Sequence, residues 1–364
     1  VGSAVVAWPG GGAVAVGWSD GGGVGGVGKG GRDAWVLRIA DDGTLQWEVL
    51  LGNDLDQSAY DVALNGTSAI VGGTWREHGD ARPRGWLHAV DGTGAAVGTH
   101  VFAVDAFTEV HGVAVAETTL QPATRVFATG YLENDAGAIR LALARVDPTT
   151  LSPAWVQHYG DTDFDAAWEL AALPDGGAVL VGDTAPGGSG PHLWLVRVDH
   201  AGTVAWQRTY HSDGEDGGWA VVAHPDGKGQ ITGLTVAGRR KAPGATVDAA
   251  WLMHTDATGK DLWQQTLPAP GGATAHAIER RPDDSLLLGG RLAKAQSASE
   301  ASLWSATAAG ATLWTTSAGA AGAVGNGVGL APGANLLVGR SASGKLSDLL
   351  LVRASPEGKT DCQP

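Results

Sequence analysis

The chain has 364 residues, a formal net charge of −14, 57 Gly and 15 Trp, against only 4 Phe and 4 Tyr. Such an acidic chain repels nucleic-acid phosphates and anionic membrane surfaces, so we expect no nucleic-acid partner. No apolar run approaches the ~20 residues of a membrane-spanning helix, and we expect no membrane insertion. The single cysteine, Cys362, excludes a disulfide framework or a multi-cysteine metal site within the chain.

In chain order, the predicted elements form seven copies of one unit of about fifty residues. Each copy reads as strand, Asp-Gly-type turn, strand, loop, strand, Ala-Gly-type turn and strand, and residues 173–211 are its clearest example. These dipeptides between alternating apolar runs are hairpin signals. The units are residues 1–52, 53–104, 105–160, 161–211, 212–268, 269–319 and 320–364.

Recurring glycines and tryptophans mark the units. The glycines that end the second strands are Gly17, Gly72, Gly130, Gly182, Gly233, Gly289 and Gly339. Tryptophans on the fourth strands are Trp47, Trp155, Trp206, Trp263 and Trp314, with Gly98 and Cys362 in the remaining two slots. Such glycines fit where sheets crowd, and such tryptophans fit as plates between neighbouring sheets. The pattern predicts an all-β, single-domain, seven-bladed β-propeller with four antiparallel strands per blade.

The hairpin signature around Asp175-Gly176-Gly177 and the run Leu195 to Trp206 resemble bacterial secreted β-propellers with PQQ-like or delta-60-type repeats. The resemblance implies an exported bacterial protein and is specific for fold. Quinone-binding dehydrogenases of that superfamily also use vicinal cysteines, which this chain lacks. We therefore expect no quinone or other cofactor.

One position per unit is expected at the mouth of the central channel, two residues before a constant aliphatic residue on the first strand. These residues are Ser3, Tyr60, His111, Trp168, Trp219, His276 and Asn326. Two Trp, a Tyr and two His could stack on a sugar ring or enclose a cationic group. The alternative is that the same side chains only plug the channel. Our predicted ligand-binding set is Tyr60, His111, Trp168, Trp219, His276 and Asn326.

Alternating acidic residues precede several first strands, as in Asp161, Asp163 and Asp165. Calcium prefers six to eight oxygen ligands, so these three residues are the candidate metal site, with calcium as the candidate ion. No such cluster completes a twelve-residue calcium loop, and Asp in these places commonly caps its own turn.

The predicted function is that of an exported, monomeric, non-catalytic binding or scaffold protein. It would recognise a glycan, peptide or partner protein at the channel mouth, outside the cell, at its surface or in the periplasm, after loss of a leader that would precede Val1. The alternatives are a lyase or hydrolase acting on a polymer through histidines and carboxylates at the same face, and a structural spacer. A buried carboxylate near His111 or His276 would favour the enzyme, and a channel packed shut would oppose it.

Overall fold

The structure is a computed structural model. It describes residues 1–364 except 21–27, 29–30, 81, 119–122, 162–163, 187–190, 211–213, 268, 270, 294–297, 344–345 and 361–364. In this part of the chain, no helix has the length and apolar character that a membrane crossing needs.

The described residues form 27 strands in seven sheets, and each sheet is one blade. Blade 1 contains β1 (Gly2–Ala7), β2 (Ala13–Ser19), β3 (Asp33–Ile39) and β4 (Leu45–Leu51). Blade 2 contains β5 (Ser58–Asn65), β6 (Ser68–Trp75), β7 (Arg84–Asp91) and β8 (Ala96–Val101). Blade 3 contains β9 (Glu109–Glu117), β10 (Thr124–Glu133), β11 (Ile139–Val146) and β12 (Pro153–Tyr159). Blade 4 contains β13 (Asp165–Ala172), β14 (Ala178–Thr184), β15 (His192–Val198) and β16 (Val204–Tyr210).

The remaining blades follow the same order. Blade 5 contains β17 (Glu215–Pro225), β18 (Ile231–Lys241), β19 (Ala249–Asp256) and β20 (Asp261–Leu267). Blade 6 contains β21 (Ala273–Arg280), β22 (Leu286–Ala293), β23 (Ser299–Ala306) and β24 (Thr312–Ala318). Blade 7 contains β25 (Val324–Ala331), β26 (Ala334–Ser343) and β27 (Leu346–Ala354), followed by an isolated bridge between Ala354 and Thr360.

The strands of each blade pair antiparallel in chain order, so every blade is a meander. The first strands of successive blades contact one another, and β1 contacts β25, which closes the circle. The predicted seven-bladed propeller is confirmed. The first strands form the inner wall around the axis.

The apolar core lies between the blades. Each of the seven interfaces contains its own cluster of buried side chains from two neighbouring blades. At the closing interface, Val5 and Leu37 of blade 1 pack with Leu336 and Val338 of blade 7. Because each blade buries its faces only against two neighbours, the wheel is stabilised as a whole and not blade by blade.

A β-bulge interrupts every first strand near its start. In each blade, one residue of the first strand has no partner on the second strand. These bulged residues are Ser3, Tyr60, His111, Trp168, Trp219, His276 and Asn326. A bulge re-aims a side chain and terminates pairing locally. The seven mouth positions predicted from the sequence are therefore the seven bulges.

A glycine on each second strand makes room for the bulge. These glycines are Gly17, Gly73, Gly130, Gly182, Gly238, Gly290 and Gly339. A Cβ on any of them would lie 1.8–2.0 Å from the carbonyl oxygen two residues before the bulged residue. Gly72 and Gly289 lie, as predicted, where neighbouring sheets crowd, because a Cβ on them would clash with Val113 of blade 3 and Val328 of blade 7, but they are not the glycines opposite the bulge. The prediction that Gly233 ends a second strand is wrong. Only the second glycine of each adjacent pair faces the bulge, and Gly233 lies near the opposite end of the long strand β18.

The fourth-strand tryptophans join neighbouring blades, as predicted. Each one contacts the glycine in the last turn of the following blade, as Trp206 contacts Gly259. The indole Nε1 of Trp206 also donates a hydrogen bond to the carbonyl oxygen of Ala257, at 3.1 Å. Gly259 has φ +77°, a conformation that favours glycine, and a Cβ there would lie 2.8 Å from the indole ring. The same contact joins Trp47 to Gly94, Trp155 to Gly202, Trp263 to Gly310 and Trp314 to Gly358.

Candidate functional site

The axis of the wheel contains a cavity of about 570 Å³, and all seven bulged residues line it. The structure therefore brings the six predicted ligand-binding residues together with Ser3, and each side chain is half-buried. The volume lies within the usual range of small-molecule pockets. The channel is thus not packed shut at this end.

An aromatic arc spans blades 2 to 4. The rings of Tyr60 and His111 stack with centroids 4.8 Å apart and an interplanar angle of 4°. His111 then meets Trp168 edge to face, at 5.2 Å and 89°. These three side chains form a continuous surface along about half of the cavity mouth, with ring faces and edges available to a planar or cationic group.

A second aromatic pair lies on blades 5 and 6, where Trp219 and His276 meet at 4.9 Å and 71°. The ring of His276 is held by the Thr274 hydroxyl at 2.9 Å and by the carbonyl oxygen of Gly325 at 3.0 Å. Burial lowers the pKa of His276 to about 4, so the ring is neutral at neutral pH. This side chain therefore adds no positive charge to the mouth.

On blades 7 and 1, the residues at the cavity mouth are small and polar. Asn326 uses its amide Nδ2 to donate to the carbonyl oxygen of Gly2, at 2.8 Å. That bond joins the last blade to the first, so the side chain of Asn326 is engaged in closing the wheel. Ser3 is the other residue on this side, and the aromatic wall is therefore asymmetric.

Three carboxyl groups line the cavity below the mouth. Asp61 and Glu169 directly follow the bulged residues of blades 2 and 4, and Glu279 lies three residues after the bulge of blade 6. The Val113 amide donates to Asp61 Oδ2 at 2.7 Å, but Glu169 and Glu279 have no hydrogen-bond or ion-pair partner among the described residues.

The position of these three carboxyls inside the cavity raises their pKa values. Burial raises the pKa of Asp61 to about 6, and burial together with the charge of Asp61 raises the pKa of Glu279 to about 7. The pKa of Glu169 is raised well above its usual value by burial and by the charges of Asp61 and Glu279. The three carboxyls therefore act on one another electrostatically across the channel.

Sequence reasoning missed these carboxyls. A signal was present, because Asp61, Glu169 and Glu279 interrupt first strands in which most blades carry Ala, Gly or Val at the same distance from the bulge. A charged residue in an apolar inner strand is a buried charge, which needs a partner or a function.

Two further carboxylates contact the mouth aromatics. Glu109 Oε2 lies 2.8 Å from His111 Nε2, and the indole Nε1 of Trp168 donates to Asp183 Oδ2 at 2.8 Å. Burial raises the pKa of Asp183 to about 6, although the hydrogen bond from Trp168 opposes this rise. Trp168 is therefore fixed in orientation, and His111 has an acidic neighbour of the kind that an acid–base mechanism requires.

Of the three predicted metal ligands, Asp161 and Asp165 are not among the residues that line this cavity. Asp161 is exposed, and Asp163 lies outside the described residues. Asp165 is buried, accepts a hydrogen bond from the Thr184 hydroxyl at 2.5 Å and lies 3.7 Å from Arg140. Across the described part of the chain, no group of three or more His, Cys, Asp or Glu is arranged to hold a metal ion. Asp165 thus has a role within the fold, and calcium binding stays a prediction.

Comparisons with known proteins address the fold. No protein-family model and no curated protein matches this chain. Among solved structures, a puromycin hydrolase matches with a TM-score of 0.53 and 17% identity over 99% of this chain and 52% of its own. Sqt1 from Chaetomium thermophilum matches with a TM-score of 0.50 and 11% identity over 92% of this chain and 80% of its own.

A quinohemoprotein alcohol dehydrogenase from Comamonas testosteroni is also similar, with a TM-score of 0.45 and 11% identity over 85% of this chain and 61% of its own. The chain spans about half of the hydrolase and about three fifths of the dehydrogenase. At these identities the likeness extends to architecture alone. The chain is a β-propeller, and its particular repeat type stays a prediction.

Proposed function

We propose that this chain is an exported, non-catalytic binding protein that recognises a glycan, a peptide or a partner protein at its channel mouth. The observation that supports it is the set of seven bulges, which turn Tyr60, His111, Trp168 and Trp219 toward one open cavity. Rigid blades hold these side chains, so binding requires little ordering. The protein acts as a monomer outside the cytoplasm, which fractionation and light scattering would check.

Trp219→Ala is the most direct test, because this indole lies outside the apolar clusters between the blades and contacts the His276 ring and the Arg239 guanidinium. We expect the affinity for a ligand found in a glycan and peptide panel to fall at least tenfold, or about 1.4 kcal/mol. Isothermal titration measures the affinity, and the melting temperature should change little.

Trp8→Ala is the control, because Trp8 follows β1 at the end opposite to the bulge, where it packs against the cluster between blades 1 and 2 and does not line the cavity. It should leave the affinity unchanged. Equal binding by the Trp219 variant would sink the proposal, and unfolding of that variant would show that the ring is core. Trp168→Ala makes a weaker test, since it also removes a hydrogen bond from buried Asp183.

A hydrolase or lyase is the second candidate, favoured by the pairing of His111 with Glu109 at 2.8 Å and by the open cavity. In such an enzyme the pair would supply acid–base catalysis at the mouth. Product formation from the identified ligand, abolished by His111→Gln, would replace the binding function with this one.

A further inference from the structure

Among the described residues, the ionisable side chains that line the axial cavity include acids but no lysine or arginine. The acids are Asp61, Glu169 and Glu279. Arg239, Arg291 and Arg340 lie on second strands outside this lining, and Arg32 also acts on Tyr60 from outside it. Arg280 lines an adjoining pocket with Glu169 and Glu279 but is paired with Asp284. Arg239 is occupied by Asp248 at 3.2 Å. A ligand that enters the cavity therefore meets carboxyl groups without competing protein cations.

Two of the three carboxyls face the cavity without a protein partner among the described residues. Neither Glu169 nor Glu279 has a hydrogen bond or an ion pair in the described structure, and both line the open cavity. A half-buried carboxylate in a confined cavity is less well hydrated than one on the outer surface, and perturbed carboxyls in a cleft are candidates for ligand contact. The donors that these groups lack are what a bound cation would bring.

The spacing of the acids favours an organic cation over a bare metal ion. The described residues contain no cluster of three acids or histidines close enough to share one ion. An alkylammonium group has three N–H donors at the end of a narrow alkyl chain. It can therefore enter the cavity and hydrogen-bond to a single carboxyl, without several ligands around one ion.

The mouth has the surface that such a cation would pass. The Tyr60–His111 stack, Trp168 and Trp219 present aromatic rings, and His276 is neutral at neutral pH. Aromatic faces attract ammonium and guanidinium groups, most strongly when the site is shielded from water.

Building on the proposed binding function, we propose that the ligand carries an alkylammonium group that enters the channel past the aromatic mouth, is attracted by the carboxyls of Asp61, Glu169 and Glu279 together, and donates hydrogen bonds to those within its reach. A lysine side chain of a peptide and a free diamine share this chemistry. The mouth aromatics would then contact the remainder of the ligand, and the carboxyls would select its charge.

Isothermal titration of the full chain tests this with three probes: acetyl-Gly-Lys-Gly-amide, the same peptide acetylated on Nε, and 1,5-diaminopentane. We expect the charged peptide to bind at least tenfold more tightly than the acetylated one. If the diamine also binds, the protein recognises the alkylammonium group by itself. If only the charged peptide binds, the protein recognises the lysine side chain within a peptide or protein ligand.

Glu169→Gln and Glu279→Gln keep the side-chain size, and each should weaken the charged probe at least tenfold. Asp105→Asn is the control, because it removes the same charge from an exposed turn between blades 2 and 3. Equal affinity for the charged and acetylated peptides, unchanged affinity in both Gln variants, or no binding of any probe would overturn the assignment. A neutral ligand that depends on Trp219 but not on Glu169 would leave the binding function standing.

Discussion

Glu279 has an enclosed carboxyl with a pKa of about 7, against an ordinary value of 4.5. Between these pH values the folded state holds a proton that the unfolded state has lost, so this group destabilises the fold increasingly as pH rises through the window. Glu279→Gln removes the effect. The variant should be more stable than the parent by about 1 to 3 kcal/mol above pH 7, and equally stable below pH 4.5.

Urea unfolding of both proteins at several pH values between 4 and 8 measures this difference. Comparing variant with parent matters because His88, His224 and His276, whose pKa values burial lowers to about 4, have the opposite effect in both proteins. Asp105→Asn should show no such pH-dependent gain. A constant difference at every pH would mean that Glu279 finds a partner in solution.

At the residue scale, the sequence predicts where in the fold a side chain lies better than which other side chains surround it. The mouth residues could be located because each precedes a constant aliphatic residue, such as Val62 or Leu170. The carboxyl cluster could not, since Asp61, Glu169 and Glu279 come from three different blades. Their mutual effect arises only when the ring closes. The sequence does not show which glycine faces the bulge in blades 2 and 6, because two glycines are adjacent there, and in blade 5 the repeat pattern points to Gly233 although Gly238 faces the bulge.

Fourth-strand tryptophans carry the contacts between elements of neighbouring blades. Trp206→Ala removes the contact with Gly259 and the hydrogen bond to Ala257, and should cost about 2 to 4 kcal/mol. Chemical denaturation measures the loss. Leu262→Ala, on a fourth strand but 55% exposed, is the control and should cost far less. A small effect of Trp206→Ala would mean that the apolar clusters alone hold the blades together.

The elements of each blade were predictable in type but incompletely in detail. Strands and turns follow from alternating apolar residues and Asp-Gly or Ala-Gly dipeptides, and the plate-like role of Trp206 follows from its recurrence. The bulge was not predicted, because it depends on pairing between two strands. A trace of it in the sequence is the Gly or Ala that precedes six of the seven mouth positions, as in Ala59 and Gly218, with Val110 in blade 3 as the exception.

In the whole molecule, the closing interface between blades 7 and 1 carries an arginine contact. Among the described residues, no atom lies within 4 Å of the position that a Cβ would take on Gly43, the turn glycine of blade 1, whereas five other blades have an indole against the corresponding glycine. Arg353 of blade 7 crosses this interface and donates to the carbonyl oxygen of Asp41 at 2.6 Å and to its carboxylate at 2.8 Å. The closing interface therefore combines this polar contact with the apolar cluster that contains Val5 and Val338.

Arg353→Ala should therefore lower the melting temperature by several degrees, which corresponds to about 1 to 2 kcal/mol. Arg145→Ala is the matched control: Arg145 occupies the same third-strand position in blade 3, where Trp155 already contacts blade 4. Calorimetry compares the two. An equal loss in both variants would show that the closing interface is no weaker than the rest.

The blade count and the closed wheel were predictable from the sequence because repetition is visible without any contact information. What the wheel encloses was not, since the cavity depends on how far the seven first strands stand from the axis. Only the structure shows that the mouth side chains leave space between them.

The bulges also bear on how such a protein could acquire new specificities. A residue outside the strand ladder makes no pairing contribution, so exchanging its side chain leaves the backbone register intact. Tyr60, His111, Trp168 and Trp219 could therefore be randomised together, with the glycines opposite them kept constant. One wheel would then serve as a common frame for a library of receptors that differ only where they meet their targets.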